Sequence, residues 1–505
     1  MAATVEELPA TKAVFLPVVF SAEDKTDSNT IVIHLEEAER SLFATVRTVL
    51  QQLSANIIGA ELPNKHVQVR VAGGWVRDKI LGKPSDDIDL AIENYTGVQF
   101  AELLREYRVS MGCPPQKIGV IAANPAQSKH LETACMRLEG LDIDLCHLRS
   151  HEVYTNSRIP DSVTFGTPLE DAERRDFTCN ALFYNIETQQ IEDWTGRGCT
   201  DLENGNLVTP LEPLTTFLDD PLRVLRAIRF AIRYNYTIAS ADTIRSEPSI
   251  REALLAKVSR ERVGKELEGM LSGKAAKPAA ALRMIVDLGL ADVVFSKPQL
   301  SIQCEGWQKR GLSYLERMEK IKSSLDQATT TSVTCAIDER LLPLLALLLP
   351  LRKATYNAKK NKVFPAVHYV LSESLKFSKK DAEAASTIFV NLDRFLGQIV
   401  HFEKVECGLL FRETRGLWVT ALALAAIESG EDVDVASSYH NMLELDGCWT
   451  IPPLLDGKSL IKELELKPGP TVGKYMQEQV KWMLAHPTGS VEECLEHLQK
   501  KRKVL

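Results

Sequence analysis

The chain has 505 residues, 45% hydrophobic and 25% charged, enough for several packed domains. A formal net charge of −8 excludes a globally basic molecule, so any nucleic acid it binds must meet a local basic surface. Ten cysteines contain no Cys-x-x-Cys pair, which argues against structural zinc and for a reducing compartment.

The first 34 residues carry Glu6, Glu7 and Asp24 and little arginine, unlike a mitochondrial transit peptide, and are expected to form a flexible, frayed extension. An amphipathic helix is expected over Leu35–Leu53. Short apolar runs then alternate with short helices to about residue 194: Val67–Val71, Ile88–Ile92, Lys117–Ala122, Glu132–Leu138, Ile143–Leu148, Leu182–Ile186 and Gln190–Trp194. That pattern predicts a mixed α/β domain built on a sheet. Beyond about residue 205, apolar periodicity without strand signals predicts an all-helical remainder. The run Leu341–Leu351 is too short to span a bilayer and contains prolines, so it predicts a buried helix rather than a membrane anchor. Ser323–Ser332 and Tyr356–Lys362 predict surface loops, and Lys500-Lys501-Arg502-Lys503 forms a basic cluster at the end.

The segment VAGGWVRDKILGKPSDDIDLAIE carries the most chemistry. A strand ends in Gly73-Gly74, a short helix follows, and a second strand returns with Asp87-Ile88-Asp89. Strand side chains alternate, so Asp87 and Asp89 project to one side. Two adjacent carboxylates repel one another, and a hard divalent cation such as Mg²⁺ makes the pair favourable. The double glycine lets backbone N–H groups approach a phosphate, and the helix after it points its N-terminus the same way. A third acid is expected from a neighbouring strand, and LETACMRLEGLDIDLCHLR offers Asp142, read as lying in the turn, and Asp144. In ERRDFTCNALF, Arg174 and Arg175 can fork onto phosphate oxygens, while Asp176 and Asn180 can read ribose hydroxyls. In FLDDPLRVLRAIRFAIR, Pro221 suits a first helical turn and Asp219 or Asp220 can cap it. Arg223, Arg226, Arg229 and Arg233 follow on one sector. A carboxylate and a guanidinium one turn apart present an acceptor and donors in one plane, matching the edges of cytosine and adenine.

GGWVRD followed by DDIDL resembles the signature of tRNA nucleotidyltransferases and bacterial poly(A) polymerases, the class II branch of the polymerase-β-like superfamily. The resemblance runs through RRDFTCNA, a hinge-like Asp193-Trp194-Thr195-Gly196 turn, the Asp-x-x-Arg element and SRERVGKELEGML. It covers residues 35 to 275 strongly and 450 to 495 more loosely. It implies an α+β chain: a polymerase-β-like nucleotidyltransferase head with a mixed sheet, followed by an all-helical neck, body and tail. The corresponding boundaries are 35–200, 201–275, 276–400 and 401–505.

The implied activity is CCA addition to tRNA from CTP and ATP, with a poly(A) polymerase or a CC- or A-only enzyme as the nearest alternatives and a silent tRNA-binding protein as a distant one. Two Mg²⁺ are implied at Asp87 and Asp89, and Asp144 matches the third acid. Gly73, Gly74 and Arg77 are implied at the triphosphate, and Arg174, Arg175, Asp176 and Asn180 at the nucleotide. Asp220 and Arg223 are implied at the base and Arg226 among the nucleotide-binding residues, with Asp219 standing where bacterial members often carry Glu. A flexible loop is implied between Arg149 and Asp171. Glu261 and Arg262 fall in the last motif, with a structural role. The implied partner is tRNA, gripped by its acceptor and TΨC arms, and a monomer is expected. Mitochondrion, nucleus and cytoplasm all remain open as compartments, and the terminal basic cluster resembles a nuclear signal.

Overall fold

A computed structural model describes residues 13–20, 30–59, 66–85, 87–121, 132–150, 165–328, 335–358, 362–430 and 433–501. The chain divides into two compact units, 1–259 and 260–505. The first is organised by nine strands: β1 Val14–Val19, β2 Ile31–Val32, β3 Val69–Ala72, β4 Ile88–Ile92, β5 Gly119–Ile121, β6 Thr133–Leu138, β7 Leu141–His147, β8 Leu182–Asn185 and β9 Gln190–Asp193. Their order across the sheet is β2-β1-β9-β8-β3-β4-β7-β6-β5. The β4–β7 and β1–β2 pairs are parallel and the others antiparallel, so the sheet is mixed as expected.

Local chemistry sets this arrangement. β6 and β7 are joined by Glu139-Gly140, both with positive φ (50° and 84°), the geometry that matches the twist of a two-residue hairpin. Along β7, Ile143 and Leu145 are buried while Asp142 is exposed and Asp144 half-buried, the alternation of a strand with one covered face. Asp142 therefore lies within the strand, paired with Arg137, rather than in the turn, because the turn needs only two residues. Helix α1 (Glu37–Ser54) buries Leu42, Phe43, Val46, Val49, Leu50 and Leu53 at helical spacing, and its first turn is closed by a Glu36–Glu39 capping box. Helix α2 (Gly74–Ile80) links β3 to β4, and α3 (Gly97–Ser110) packs on β6 and β7.

The N-terminal expectation is corrected in part. Val14–Val19 is an ordered strand paired antiparallel with β9, Val14 opposite Asp193 and Pro17 opposite Gln190. Its β-branched content outweighs the acidic surroundings that suggested fraying, and Pro17 is tolerated because the strand lies near a sheet edge.

Helix α4 (Pro168–Glu173) lies between β7 and β8, and after β9 the first unit continues as α5 (Gly198–Glu203), α6 (Pro213–Asp219), α7 (Arg223–Tyr234), α8 (Ala241–Ser246) and α9 (Pro248–Lys257). The second unit opens with α10 (Arg260–Leu271) and is helical, except for a hairpin of Thr355–Asn357 with Val363–Pro365. One further small ladder, Asn206–Leu207 with Thr237–Ile238, also departs from the expected all-helical remainder. Every residue of helix Leu341–Leu348 is buried, as its composition required. It packs on helix Trp307–Ala328, where a Cβ on Gly311 would lie 2.3 Å from the Leu347 carbonyl oxygen. That helix runs on to Ala328 with Leu325 buried, so 323–328 is not a loop. Its polar residues are the solvent face of a helix whose apolar stripe continues. Likewise Tyr356 lies in the hairpin. Leu455, Leu460, Tyr475, Trp482 and Leu498 form a separate core near the C-terminus. No helix among the described residues is long and apolar enough to cross a membrane.

Candidate active site

The parallel pairing of β4 with β7 sets Asp89 directly opposite Asp144. Asp87, exposed, precedes β4 by one residue. Burial pushes the Asp89 carboxyl up to about 6; the charge of Asp87 adds to this, Asp144 adds further, and Arg175 and Arg149 oppose it. No N–H or O–H group of the described residues hydrogen-bonds to any of the three acids. Carboxylates that repel one another and accept from no N–H or O–H group are an unfavourable arrangement on their own. Among the described residues, no group of three or more His, Cys, Asp or Glu side chains is placed to hold a metal ion by itself. The acids are clustered but open. An all-oxygen donor set of this kind fits a hard divalent cation that keeps water and phosphate oxygens among its ligands.

The glycine turn sits beside this cluster. Gly73 has φ of +72°, and a Cβ there would come within 2.7 Å of Arg175 Nη1 and 3.3 Å of the Asn180 carbonyl oxygen. The position requires glycine twice, for its backbone and for the room taken by Arg175. Arg175 is held by Asp171, donating from Nε at 3.1 Å and Nη2 at 2.8 Å, while Nη1 donates to the Asn180 carbonyl at 3.3 Å. Burial opposes the charge on Asp171, but Arg175 and Arg149 outweigh it and hold the carboxyl below its usual range. Helix α2 is anchored from behind. Lys79 Nζ donates to Glu39 at 2.7 Å, and Trp75 Nε1 donates to the same carboxylate at 2.9 Å.

A second group of site residues is knitted together. Asp176 accepts from Arg226 Nε at 2.8 Å, from Asn180 Nδ2 at 3.0 Å and from the Phe177 amide at 2.9 Å. Burial again works against the anion, yet Arg226, Asn180 and Arg223 keep this carboxyl low. Asn180 in turn accepts from Arg77 Nη1 at 2.6 Å. Arg77, expected at a triphosphate, is buried, forks onto Asp78 at 2.9 Å and lies over the Tyr234 ring at 4.6 Å.

The N-cap of α7 is Leu222, with no side-chain cap, so neither Asp219 nor Asp220 caps the helix; Asp220 Oδ1 accepts from the Leu222 amide at 3.2 Å in the turn that precedes it. Asp219 instead pairs with Arg223 at 3.1 Å. Arg223 also donates to the carbonyls of Thr216 (3.0 Å) and Arg174 (2.5 Å), and Arg174 donates to the Ser150 carbonyl at 2.6 Å. The base-edge and phosphate candidates thus share one backbone contact.

The hinge-like turn is densely bonded: Asp193 accepts from Thr195 and the Cys199 amide, and Asp201 accepts from Thr178 and Arg197. The loop expected between Arg149 and Asp171 falls mostly outside the described residues, and its ends meet in an Arg149–Phe165 bridge. Glu261 and Arg262 lie on α10, in the second unit. Asp78, Asp171 and the Asp219–Arg223 pair were not anticipated. For Asp171 the i,i+4 spacing to Arg175 was the available signal.

A mixed sheet that carries an open acid trio beside a glycine turn defines the catalytic head of a nucleotidyltransferase. The family described as "Poly A polymerase head domain" matches residues 69–208, and "Probable RNA and SrmB- binding site of polymerase A" matches 247–303. The chain is 35% identical to the mitochondrial CCA tRNA nucleotidyltransferase of Saccharomyces cerevisiae, over 85% of this chain and 87% of that one. It is 37% identical to the tRNA nucleotidyltransferase cca2 of Schizosaccharomyces pombe, over 86% and 92%. The fold matches the Thermotoga maritima CCA-adding enzyme solved with tRNA, with a TM-score of 0.60 at 19% identity, covering 92% of this chain and 96% of that one. The chain belongs to the family of CCA-adding tRNA nucleotidyltransferases.

Proposed function

We propose that the chain adds or repairs the 3′-terminal CCA of tRNA, taking CTP and ATP without a nucleic-acid template and releasing pyrophosphate. The observation that carries this is the trio Asp87, Asp89 and Asp144, in which Asp87 and Asp144 both repel Asp89 and none accepts from an N–H or O–H group of the described residues, next to the Gly73 turn. The names of the relatives supply the substrate.

In this reading Asp87 and Asp89 hold divalent cations, two Mg²⁺, and Asp144 completes the anionic site facing the tRNA 3′-OH. When bound, such ions supply Lewis-acid stabilisation of the charge that develops on the attacking and leaving oxygens. Gly73 and Gly74 offer backbone room to the phosphates, Arg174 and Arg175 offer guanidinium donors, and Asp176 with Asn180 fixes the nucleotide-binding segment. Asp220 and Arg223 meet the base edge, and Arg226 ties α7 to Asp176. Arg77 acts from behind, through Asn180, a position that its burial favours over direct phosphate contact. The neck, body and tail divisions after residue 200 are proposed on the resemblance. The helical residues beyond about 275 are proposed to hold the acceptor and TΨC arms by shape, as a monomer. A mitochondrial location is proposed from the S. cerevisiae relative. The C-terminal basic cluster, whose Arg502 and Lys503 lie outside the described residues, gains no support as a nuclear signal.

The test is to incubate tRNA lacking its 3′ end with CTP and ATP and sequence the products. Ends in CCA support the reading. Ends in CC or a lone A identify a single-specificity enzyme, and long A tails a poly(A) polymerase. Asp87→Ala should abolish incorporation with tRNA affinity nearly intact, and retained activity overturns the site. Bound tRNA with no incorporation by the unaltered chain under Mg²⁺ overturns the enzyme.

A further inference from the structure

Four residues stand in one row across neighbouring strands. Gly119 on β5 is opposite Cys135 on β6, Cys135 is opposite Asp144 on β7, and Asp144 is opposite Asp89 on β4. Residues directly opposed in adjacent strands project to the same face. The Cys135 side chain therefore lies on the face that carries the acids, whereas its neighbours Ala134 and Met136 are buried on the other.

Asp144 has an unequal pair of neighbours. On one side Asp89 brings like charge. On the other stands Cys135, directly opposed across β6 and β7 with its side chain on the same face. Cys135 is a free, half-buried thiol, so an S–H is available to donate. Beyond it Gly119 has no side chain to compete for that proton; a Cβ there would sit 3.8 Å from the Cys135 Cβ, in open contact. A thiol is a weak donor, but a carboxylate acceptor strengthens the bond. No N–H or O–H group of the described residues hydrogen-bonds to Asp144, so a thiol opposed to it has no competitor as a donor.

We propose that Cys135 is a positioning residue, whose thiol donates to Asp144 and fixes the orientation in which that carboxylate joins Asp89 in binding a divalent cation. This rests on the acid trio being the cation site. A cysteine kept only for packing would behave as a small apolar residue, and the row places it instead on the polar face, against an anion.

The experiment measures Mn²⁺ binding by electron paramagnetic resonance on the full chain, carrying Cys135→Ala, Cys135→Ser or Asp144→Ala. CTP incorporation into truncated tRNA is followed in parallel as a function of Mg²⁺. Cys135→Ala is expected to weaken Mn²⁺ binding about fivefold, the size of one hydrogen bond. It should raise the Mg²⁺ needed for half-maximal rate by a similar factor and leave the KM for CTP unchanged at saturating Mg²⁺. Cys135→Ser keeps a donor and should recover affinity to within about twofold of the unaltered chain. Unchanged Mn²⁺ affinity in Cys135→Ala overturns the proposal. So does an equal loss in the Ala and Ser variants, which marks the position as packing. Asp144→Ala separates the two levels of inference. If it binds Mn²⁺ as tightly as the unaltered chain, the cation-site reading itself fails, and the role of Cys135 fails with it.

Discussion

Asp89 and Asp176 both sit within the head, partly or fully shielded from water, and their surroundings are opposite. Asp176 accepts three hydrogen bonds and faces Arg226, so its carboxyl is held below the usual range. Asp89 has no donor among the described residues, faces two more acids, and its carboxyl is pushed up to about 6. A buried charge with every partner supplied by the protein holds the fold together. A charge left short of partners costs stability and is retained where a ligand completes it. Under the proposed function, the contrast separates the groups that build this site from the groups that substrate and cation would complete.

The contrast breaks most visibly in activity. Asp89→Asn keeps the shape and removes the charge, and should lower the rate of CTP incorporation by about a thousandfold in single-turnover assays, given the several kcal/mol that metal-assisted charge stabilisation supplies. Affinity for tRNA, read by filter binding, should stay near that of the unaltered chain. A rate within tenfold of the original removes Asp89 from the chemistry.

Stability should move the other way. In metal-free urea titrations at pH 7, Asp176→Asn is expected to cost about 2 kcal/mol, since it leaves Arg226 facing an amide, with the part-exposed guanidinium softening the loss. Asp89→Asn should be neutral or stabilising, because it relieves repulsion. The pH dependence carries the same signature. A depressed carboxyl such as Asp176 or Asp171 contributes stability that is present above the ordinary carboxylate pKa and lost as pH falls through its lower folded value. Asp89 is raised, so the folded chain holds its proton more tightly than the unfolded one. Its contribution therefore declines as pH rises from about 4 to about 6. The advantage of Asp89→Asn over the unaltered chain should appear at pH 7 and vanish near pH 4; an advantage that persists at pH 4 contradicts the assignment.

Between the two acids lies the glycine turn. Gly73→Ala forces a side chain into a φ of +72° and against Arg175, and should cost about 1–2 kcal/mol in the same titration. The displaced guanidinium should also raise the KM for CTP. A loss of stability with KM unchanged would confine Gly73 to a backbone role.

How much of this was legible beforehand differs by level. The strand series from Val69 to Asp193 could be read as short apolar runs; β3 and β8 are buried at every position, and β6 and β7 are the strands that print an alternation. The choice of Asp144 was legible only through the resemblance, since Asp142 and Asp144 share a face and alternation cannot separate them; the register with Asp89 does. The partners of the arginines were not legible. Arg77 and Asp78 are adjacent in sequence, where a contact is not assumed, and Arg226 meets Asp176 across fifty residues. Helix Trp307–Ala328 was cut short because its last turn is polar except for Leu325, and a single buried residue is a weak signal.

Strand β1 is the region where sequence and structure disagree most, and it gives the smallest predicted effect. Phe15 is 47% exposed, yet its ring meets Trp194 edge-on with centroids 5.5 Å apart, and Trp194 stands in the hinge-like turn that follows β9. An exposed aromatic normally adds little. Here it clasps the turn from a neighbouring strand, and cross-strand aromatic pairs contribute about 0.5–1 kcal/mol. Phe15→Ala should therefore lower stability by about that amount, while Phe15→Tyr, which keeps the ring, should not. Hydrogen exchange should speed up at the amides of Gln190–Asp193 in the alanine variant, because their β1 partners open more often. If exchange in β9 is the same in both variants, β1 rests on the sheet without bracing it, and the open acid trio gains nothing in rigidity from the N-terminal strand.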